Sequence, residues 1–313
     1  MIGNELPSGE GKVSVAAAGA IEDDRGVRTT SLRTAALFVF RQNRLALAGL
    51  VILLAFLLFC FVGPLFYHTN QIATNVAQAN QPPSLKHLLG TDTVGYDELG
   101  RLMVGGQITL LVALAVAVFA TSIGLIWGCV AGVSPRGVDT VMMRIVDAAL
   151  AIPGIFLLIF LNSILKPSVI VLIFVITALA WLVPSRLVRA EVLSLRERPF
   201  VEASKTAGST RSRTVIRHLV PNVFGTVVVN ATFQVADAVL TVAALSFLGL
   251  GIPPPAANWG SMLANGVNYV FAGYWWQIWP AGVCIVAVVV SFNFIGDGLR
   301  DAIDVRLIAG SGR

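Results

Sequence analysis

The sequence predicts an all-α membrane protein with six transmembrane helices. Of its 313 residues, 56% are hydrophobic and 12% are charged, and that charged fraction is about half the value typical of soluble domains. Apolar runs of about 20 residues recur along the chain, which is the length an α-helix needs to cross a bilayer. Because a backbone in lipid must satisfy its own hydrogen bonds, these runs are expected to be helices.

The basic residues predict how the chain is oriented. The net charge is +5, but Lys and Arg lie between the apolar runs rather than on one soluble face, which favours the positive-inside rule over nucleic-acid binding. Only Lys86, Arg101 and Lys166 fall in predicted external segments, so both termini are expected in the cytoplasm. The cysteines lie in apolar runs without metal-ligand spacing, and no histidine lies in a predicted span. These patterns argue against a metal centre or a His-based intramembrane catalytic site.

Two regions follow from the order of polar and apolar segments. Residues 1–32 are predicted to be a disordered cytoplasmic tail, and residues 33–313 a six-span domain. The spans are expected at about residues 45–66, 102–133, 141–165, 169–188, 223–248 and 278–295. External loops are predicted at 67–101 and 249–277, and a cytoplasmic loop at 189–222.

Three local features within this plan carry their own expectations. Pro153 should kink the third span, since neighbouring helices can satisfy the carbonyl that it frees. Asp147 lies near Arg144 at a cytoplasmic boundary, which indicates an ion pair or a helix cap. The Tyr and Trp residues that end the loop 249–277 are typical of an aromatic belt at the membrane interface.

The charged block between the fourth and fifth spans reads as helix, glycine, helix. Helical spacing gives the first helix one face of small or apolar residues, namely Phe200, Ala203, Ser204 and Ala207. Gly208 can take the left-handed conformation that ends a helix. A second helix is predicted to begin at Thr210 or Ser212 and to stop before Pro221. Such a helix can insert into a groove on a partner protein, and the alternative is an amphipathic helix on the lipid surface.

The predicted fifth span carries a polar stripe. Its members are spaced by four, three and four residues and therefore share one helix face: Asn230, Gln234, Asp237 and Thr241. A carboxylate in the middle of a span cannot face lipid without a penalty of about 3 kcal/mol or more. We therefore expect the stripe to line a translocation path, with a structural hydrogen-bond network between helices as the alternative.

Several blocks resemble the permeases of ABC importers. Glu202, Ala203, Gly208, His218 and Pro221 are similar to the cytoplasmic loop that these permeases present to their ATPases, with Ser204 in place of a usual Ala. The segments 90–101, 245–260 and 296–304 resemble the oligopeptide- and dipeptide-type permeases, in the expected order. The long loop after the first span further resembles the C-type subunit of that group.

The resemblance implies a type I ABC-importer permease fold and a non-catalytic subunit that forms half of a translocation path in a bacterial inner membrane. It implies an ATPase-coupling loop that includes Val201, Glu202, Ala203, Ser204, Ala207, Gly208, His218 and Pro221. The implied partners are a second, related permease, two ATPase domains and an extracytoplasmic substrate-binding protein. No Gly-rich phosphate loop with Lys-Ser or Lys-Thr occurs in the sequence, so ATP and Mg are expected on the partner ATPases.

Other readings remain open from the residues alone. The same fold serves importers of nickel, glutathione, sugars or haem in the family, and the sequence does not identify the substrate. By class, the main alternative is a secondary transporter, which usually has membrane-embedded ion ligands in paired broken helices. An intramembrane enzyme would need a buried nucleophile with a base, and the predicted spans hold no histidine to act as one.

Overall fold

The computed structural model describes residues 39–311, and within them the chain is almost entirely helical. The helices are, in chain order, α1 (Arg44–Phe61), α2 (Glu98–Val133), α3 (Arg136–Leu150), α4 (Gly154–Ile164), α5 (Val169–Ala180), α6 (Leu182–Leu195), α7 (Pro199–Thr206), α8 (Val220–Leu245), α9 (Trp259–Val267) and α10 (Trp279–Ser311). The predicted tail 1–32 lies outside the described residues.

The long helices supply the spans. Four stretches are long and apolar enough to cross a membrane alone, namely Arg44–Phe66, Glu98–Val133, Ser212–Leu250 and Trp275–Ile303. Two bent pairs complete the six predicted spans when each pair is taken as one: α3 with α4, bent by 81°, and α5 with α6, bent by 41°. The kink expected at Pro153 is confirmed as a break, with Pro153 at the N-cap of α4.

Two helices end elsewhere than the sequence suggested. The helix of the fourth span, expected to end near residue 188, continues as α6 to Leu195, with Val188 and Val192 buried against α2, while the end of the span itself stays a prediction. A separate short helix was expected before Pro221. Instead, residues 211–214 lead through a π-helical turn, Val215–Leu219, directly into α8. Pro221 lies in the first turn of α8, where its missing N–H is tolerated.

The centre of the bundle is α2, which packs closely against α6 through glycines. Gly124, Gly128 and Gly132 recur every fourth residue and form a flat strip along one face of α2. Added Cβ atoms there would lie 2.6 Å from Pro184 Cβ, 2.6 Å from the Ser185 carbonyl oxygen and 2.5 Å from Val192 Cγ1, respectively. Small residues at this spacing let two helix backbones approach, so this contact fixes the position of α6.

The polar segment at residues 67–101, which leads into α2, folds into an ordered structure that we call the cap, and Asp97 lies at its centre. One carboxylate oxygen of Asp97 accepts the Gly100 N–H at 2.8 Å and so caps α2, while the other accepts the Tyr67 hydroxyl at 2.8 Å. That second oxygen also lies 2.9 Å from His87 Nδ1. Burial first, and then the hydrogen bond to Asp97, raise the pKa of Tyr67 to about 12. These side-chain interactions therefore give the cap a defined conformation.

The cap is tied to the segment that precedes α10. Trp276 Nε1 donates to the Thr91 carbonyl at 3.2 Å, and Gln277 Nε2 donates to Asn80 Oδ1 at 2.8 Å. Trp276 is buried, whereas Trp275 and Trp279 are exposed. The interpretation of these aromatics as one interfacial belt is therefore wrong for Trp276, which joins two parts of the chain.

Candidate functional site

The loop between α6 and α8 presents a short helix, α7, on the outside of the bundle. Gly208 follows it with φ of 82°, as the sequence predicts for a residue that ends a helix in the left-handed conformation. The turn is closed by hydrogen bonds from the Ala207 N–H to the Ala203 carbonyl at 3.0 Å and from the Ser209 N–H to the Ser204 carbonyl at 3.1 Å. These bonds set the direction in which the chain leaves α7.

The face of α7 that packs on this chain is not the face that helical spacing suggested. Val201 is fully buried and belongs to an apolar cluster with Val192, Leu219 and Val223. Phe200 is 43% exposed, and Ala203 and Ala207 are exposed with it. The predicted small, apolar face is thus left uncovered by the described residues.

The remaining predicted coupling residues flank that uncovered face. Glu202 and Pro221 are exposed, and the His218 ring lies 6.5 Å from the Phe200 ring. Ser204 is half-buried, and its hydroxyl has no hydrogen-bond partner among the described residues. A cavity of about 590 Å³ lies behind α7, lined by Val133, Arg196, Glu197, Val201, Glu202, Ser209, Thr214 and Leu219. This chain thus provides an exposed helix over a partly polar recess.

Ion pairs connect α6, which leads into this loop, to α3. Asp139 accepts two hydrogen bonds from Arg189, at 2.5 and 2.6 Å. Asp147 pairs with Arg186, so the expected ion pair exists but its partner is on α6 and not the nearby Arg144. Asp139 and Asp147 are eight residues apart and share a helix face. These two ion pairs therefore tie α6 to α3, which ends at the break before Pro153.

The polar stripe of α8 is divided between two cavities. Gln234, Asp237 and Thr241 line a cavity of about 520 Å³ beside the break between α3 and α4. Asn230 lines a separate cavity of about 340 Å³ with Arg300 and Thr226. The amide oxygen of Asn230 is buried without a partner among the described residues. The predicted common face exists, but the structure brings only three of its four residues together.

Sequence reasoning missed two parts of this arrangement. The glycine strip of α2 has a readable signal, because Gly124, Gly128 and Gly132 are spaced by four within an apolar run. The pairing of Asp139 with Arg189 has none, since fifty residues separate them. Among the described residues no group of three His, Cys, Asp or Glu side chains could hold a metal ion.

The chain has the polytopic helical fold of type I ABC-importer permeases. A chain of the MetNI methionine ABC transporter, solved in inward-facing conformations, superimposes with a TM-score of 0.52 and 24% identity. The match covers 64% of this chain and 96% of that one, and at this identity it shows the fold alone. The predicted all-α, type I permease fold is thereby confirmed, while the cytoplasmic position of both termini stays a prediction.

The sequence comparisons define the family. The family model for binding-protein-dependent transport system inner membrane components matches residues 124–309, and that for the N-terminal TM domain of oligopeptide transport permease C matches residues 31–83. This chain belongs to the family of binding-protein-dependent transport system inner membrane components. It is accordingly a multi-pass integral membrane protein and a permease component that works with a binding protein, ATPases and a permease partner.

Curated relatives are similar over most of their length. The oligopeptide transport system permease protein OppC of Bacillus subtilis is 38% identical over 281 residues, covering 90% of this chain and 92% of the relative. A peptide permease protein of Brucella suis is 45% identical over 271 residues, covering 85% and 89%. The dipeptide transport system permease protein DppC of Bacillus subtilis is 35% identical over 267 residues, covering 85% and 83%.

Proposed function

We propose that this chain is one of two related permease subunits in an ATP-driven importer of peptides in a bacterial inner membrane. The observation that carries the proposal is the match to oligopeptide and dipeptide permeases along 85–90% of this chain. ATP and Mg would be bound and hydrolysed on two partner ATPase domains. Six spans are too few to enclose a peptide-wide path, so the second permease would supply the opposite wall.

The proposed topology places both termini and the loop around α7 in the cytoplasm. It is supported by the basic residues, which concentrate in that loop and near the termini. The cap at residues 67–101 and the loop at 251–274 would then face the opposite side, where an extracytoplasmic binding protein delivers substrate. The ties from Trp276 and Gln277 to the cap make these two loops a single receiving surface.

The proposed coupling site is α7 with the residues around it. Phe200, Ala203 and Ala207 would enter a groove on the ATPase, and Glu202 would help to seat the helix. The uncovered apolar face supports this reading over a lipid-surface helix, because all its residues except Phe200 are small and suit close packing against protein. Val201 would anchor the helix to the bundle, and α6 with its ion pairs to α3 would carry the motion inwards.

The proposed translocation path follows the polar stripe, and thiol accessibility tests it. Cysteines introduced at Asn230, Gln234 and Thr241 are expected to react with water-soluble thiol reagents in at least one transport state, because a path must admit water. The native cysteines should contribute little background labelling, since Cys60, Cys129 and Cys284 are all buried. The measurement is labelling of the assembled importer with and without ATP.

Buried positions on the same helix provide the control for this labelling. Cysteines at Val235, which is 5% exposed, and Val239, which is fully buried, should stay unreactive in every state. Equal inaccessibility at the stripe and at these controls would favour a structural hydrogen-bond network instead of a path.

Reconstitution into liposomes tests the proposed function as a whole. The complete complex should take up labelled trialanine only when ATP and the binding protein are both present, since this chain supplies neither energy nor substrate capture. This chain alone should transport nothing. ATP-driven uptake without an ATPase or a second permease, or uptake driven by a proton or sodium gradient, would contradict the proposal and favour a secondary transporter.

The substrate of the proposed importer can be identified by a direct measurement. Nickel, glutathione, haem or another small solute would fit the same fold, and the binding protein is expected to select among them. The peptide assignment follows the relatives, which are named as oligopeptide, peptide and dipeptide permeases. Mass spectrometry of ligand that co-purifies with the native complex is the direct measurement, and a non-peptide ligand in stoichiometric amount would replace peptides as the substrate class.

A further inference from the structure

The cavity beside the break between α3 and α4 combines one charge with apolar walls. Its volume is about 520 Å³, within the size range of small-molecule sites. The walls come from the end of α3, the start of α4, and parts of α5 and α8, and they are mostly Ala, Leu and Ile side chains. Asp237 is the only ionisable residue among those that line it. An apolar cavity with a single carboxylate is suited to a ligand that has one cationic group and whose remaining, largely apolar part can vary in shape.

The carboxylate of Asp237 is free to receive a ligand. None of the ion pairs found among the described residues involves Asp237, and no cationic side chain lines its cavity. Thr241, one turn further on, donates its hydroxyl proton to the Asp237 backbone carbonyl at 2.8 Å and so does not satisfy the carboxylate. In the single chain Asp237 is exposed, and it lies on the face of α8 that lines the cavity. The carboxylate therefore has no neutralising partner among the described residues.

The depth of Asp237 along α8 makes an ionised carboxylate without a counter-charge unfavourable. Asp237 lies seventeen residues after the start of α8 at Val220, about 26 Å along the helix axis. An ionised carboxylate at such a depth is unfavourable unless a counter-charge compensates it. A substrate with a positively charged group would supply this counter-charge during translocation and would therefore be bound specifically at Asp237.

We propose that Asp237 binds the free α-ammonium group of a peptide substrate, so that the path selects peptides by their amino end. This inference rests on the proposed peptide function. Peptides of any sequence share the α-ammonium group, whereas their side chains differ, and the apolar walls of the cavity accept such variety. Gln234 and Thr241 line the same cavity beside Asp237 and extend its polar patch.

The test compares three labelled peptides in the reconstituted importer: trialanine, N-acetyl-trialanine and trialanine amide. Replacing Asp237 by Asn should lower the ratio of free to N-acetylated uptake by about tenfold, which is the loss expected for one charge-assisted hydrogen bond. Dividing the ratio in the variant by that in the wild type cancels any preference of the binding protein. The ratio of free peptide to its C-terminal amide should not change.

Two further variants provide controls. Asp237→Glu keeps the charge and should retain most of the wild-type ratio. Asp301→Asn makes the same chemical change on α10, where Asp301 is exposed and accepts a hydrogen bond from Asn43, and should leave the ratio unchanged. Co-purification of the second permease with each variant reports assembly.

Each outcome decides for or against the inference. A tenfold loss confined to the free amino end supports it. An equal loss for all three peptides, or failure of Asp237→Asn to assemble with the second permease, overturns it in favour of a charge pair with that permease. Unchanged uptake also overturns it while leaving the peptide function standing. Absence of trialanine uptake by the wild-type complex would contradict the peptide function itself, and the inference with it.

Discussion

A Gly208→Val chain is expected to insert and assemble normally and to lose ATP-driven transport. Gly208 has φ of 82°, and a β-branched residue resists this conformation at a cost of about 1–2 kcal/mol. Relief of that strain would change the direction in which the chain leaves α7 and tilt the exposed face of the helix. The measurement is substrate-stimulated ATP hydrolysis and uptake in the reconstituted complex, and we expect both to fall to the level without binding protein.

The effect can be assigned to backbone conformation because a matched glycine exists. No atom lies within 4 Å of a Cβ added at Gly208 or at Gly137, so neither position is crowded at Cβ, but of the two only Gly208 has a positive φ. Gly137→Val should therefore keep transport. A companion variant, Glu202→Arg, changes the charge on the exposed side of α7 without changing its backbone. Survival of coupling in both Gly208→Val and Glu202→Arg would show that α7 is not the ATPase-docking helix.

The features that the sequence predicted correctly are those decided within a few residues. The αL turn at Gly208 and the break at Pro153 follow from the backbone preferences of single residues. The six spans follow from apolar length, and the common face of Gln234, Asp237 and Thr241 follows from helical spacing alone. None of these requires knowledge of which helix lies beside which.

The features that the sequence did not predict depend on long-range packing. Helical spacing identified Phe200 as a member of an apolar face, but the apolar cluster behind α7 selects Val201 as the buried residue. Pro221 was expected to follow a helix, yet the π-helical turn at Val215–Leu219 carries the helix past it. Asp147 had Arg144 three residues away in sequence, and α6 places Arg186 against it instead. In each case the deciding partner comes from another part of the chain.

Replacing the glycine strip of α2 by alanine is expected to prevent a stable bundle. The variant changes Gly124, Gly128 and Gly132 together. At Gly128 the new methyl would lie 2.6 Å from the Ser185 carbonyl oxygen and 2.7 Å from Val188 Cβ, and neither atom is the end of a flexible side chain. Overpacking costs about 1–3 kcal/mol at each such site. The nearest contacts at the three sites are 2.5–2.6 Å, which places the cost above the lower end of that range. The sum then exceeds the gain of about 1 kcal/mol per site that alanine brings to a helix, so α2 and α6 must separate.

A second triple variant is the control. It also replaces three glycines by alanine, but at positions with room for the methyl groups, so it distinguishes the effect of steric crowding from the effect of replacing glycine as such. It changes Gly137, Gly154 and Gly282 to alanine. No atom lies within 4 Å of the Cβ added at Gly137, while those at Gly154 and Gly282 make ordinary contacts of 3.8 and 3.7 Å with leucine methyls. This control should match or exceed the wild type in thermal unfolding of the purified complex, whereas the α2 triple should unfold far earlier or fail to accumulate. Since α6 leads into α7 and is paired with α3, partial separation of α2 and α6 should also abolish coupling in any of the variant that assembles. Equal stability of the two triple variants would mean that the strip does not determine how closely α2 and α6 pack.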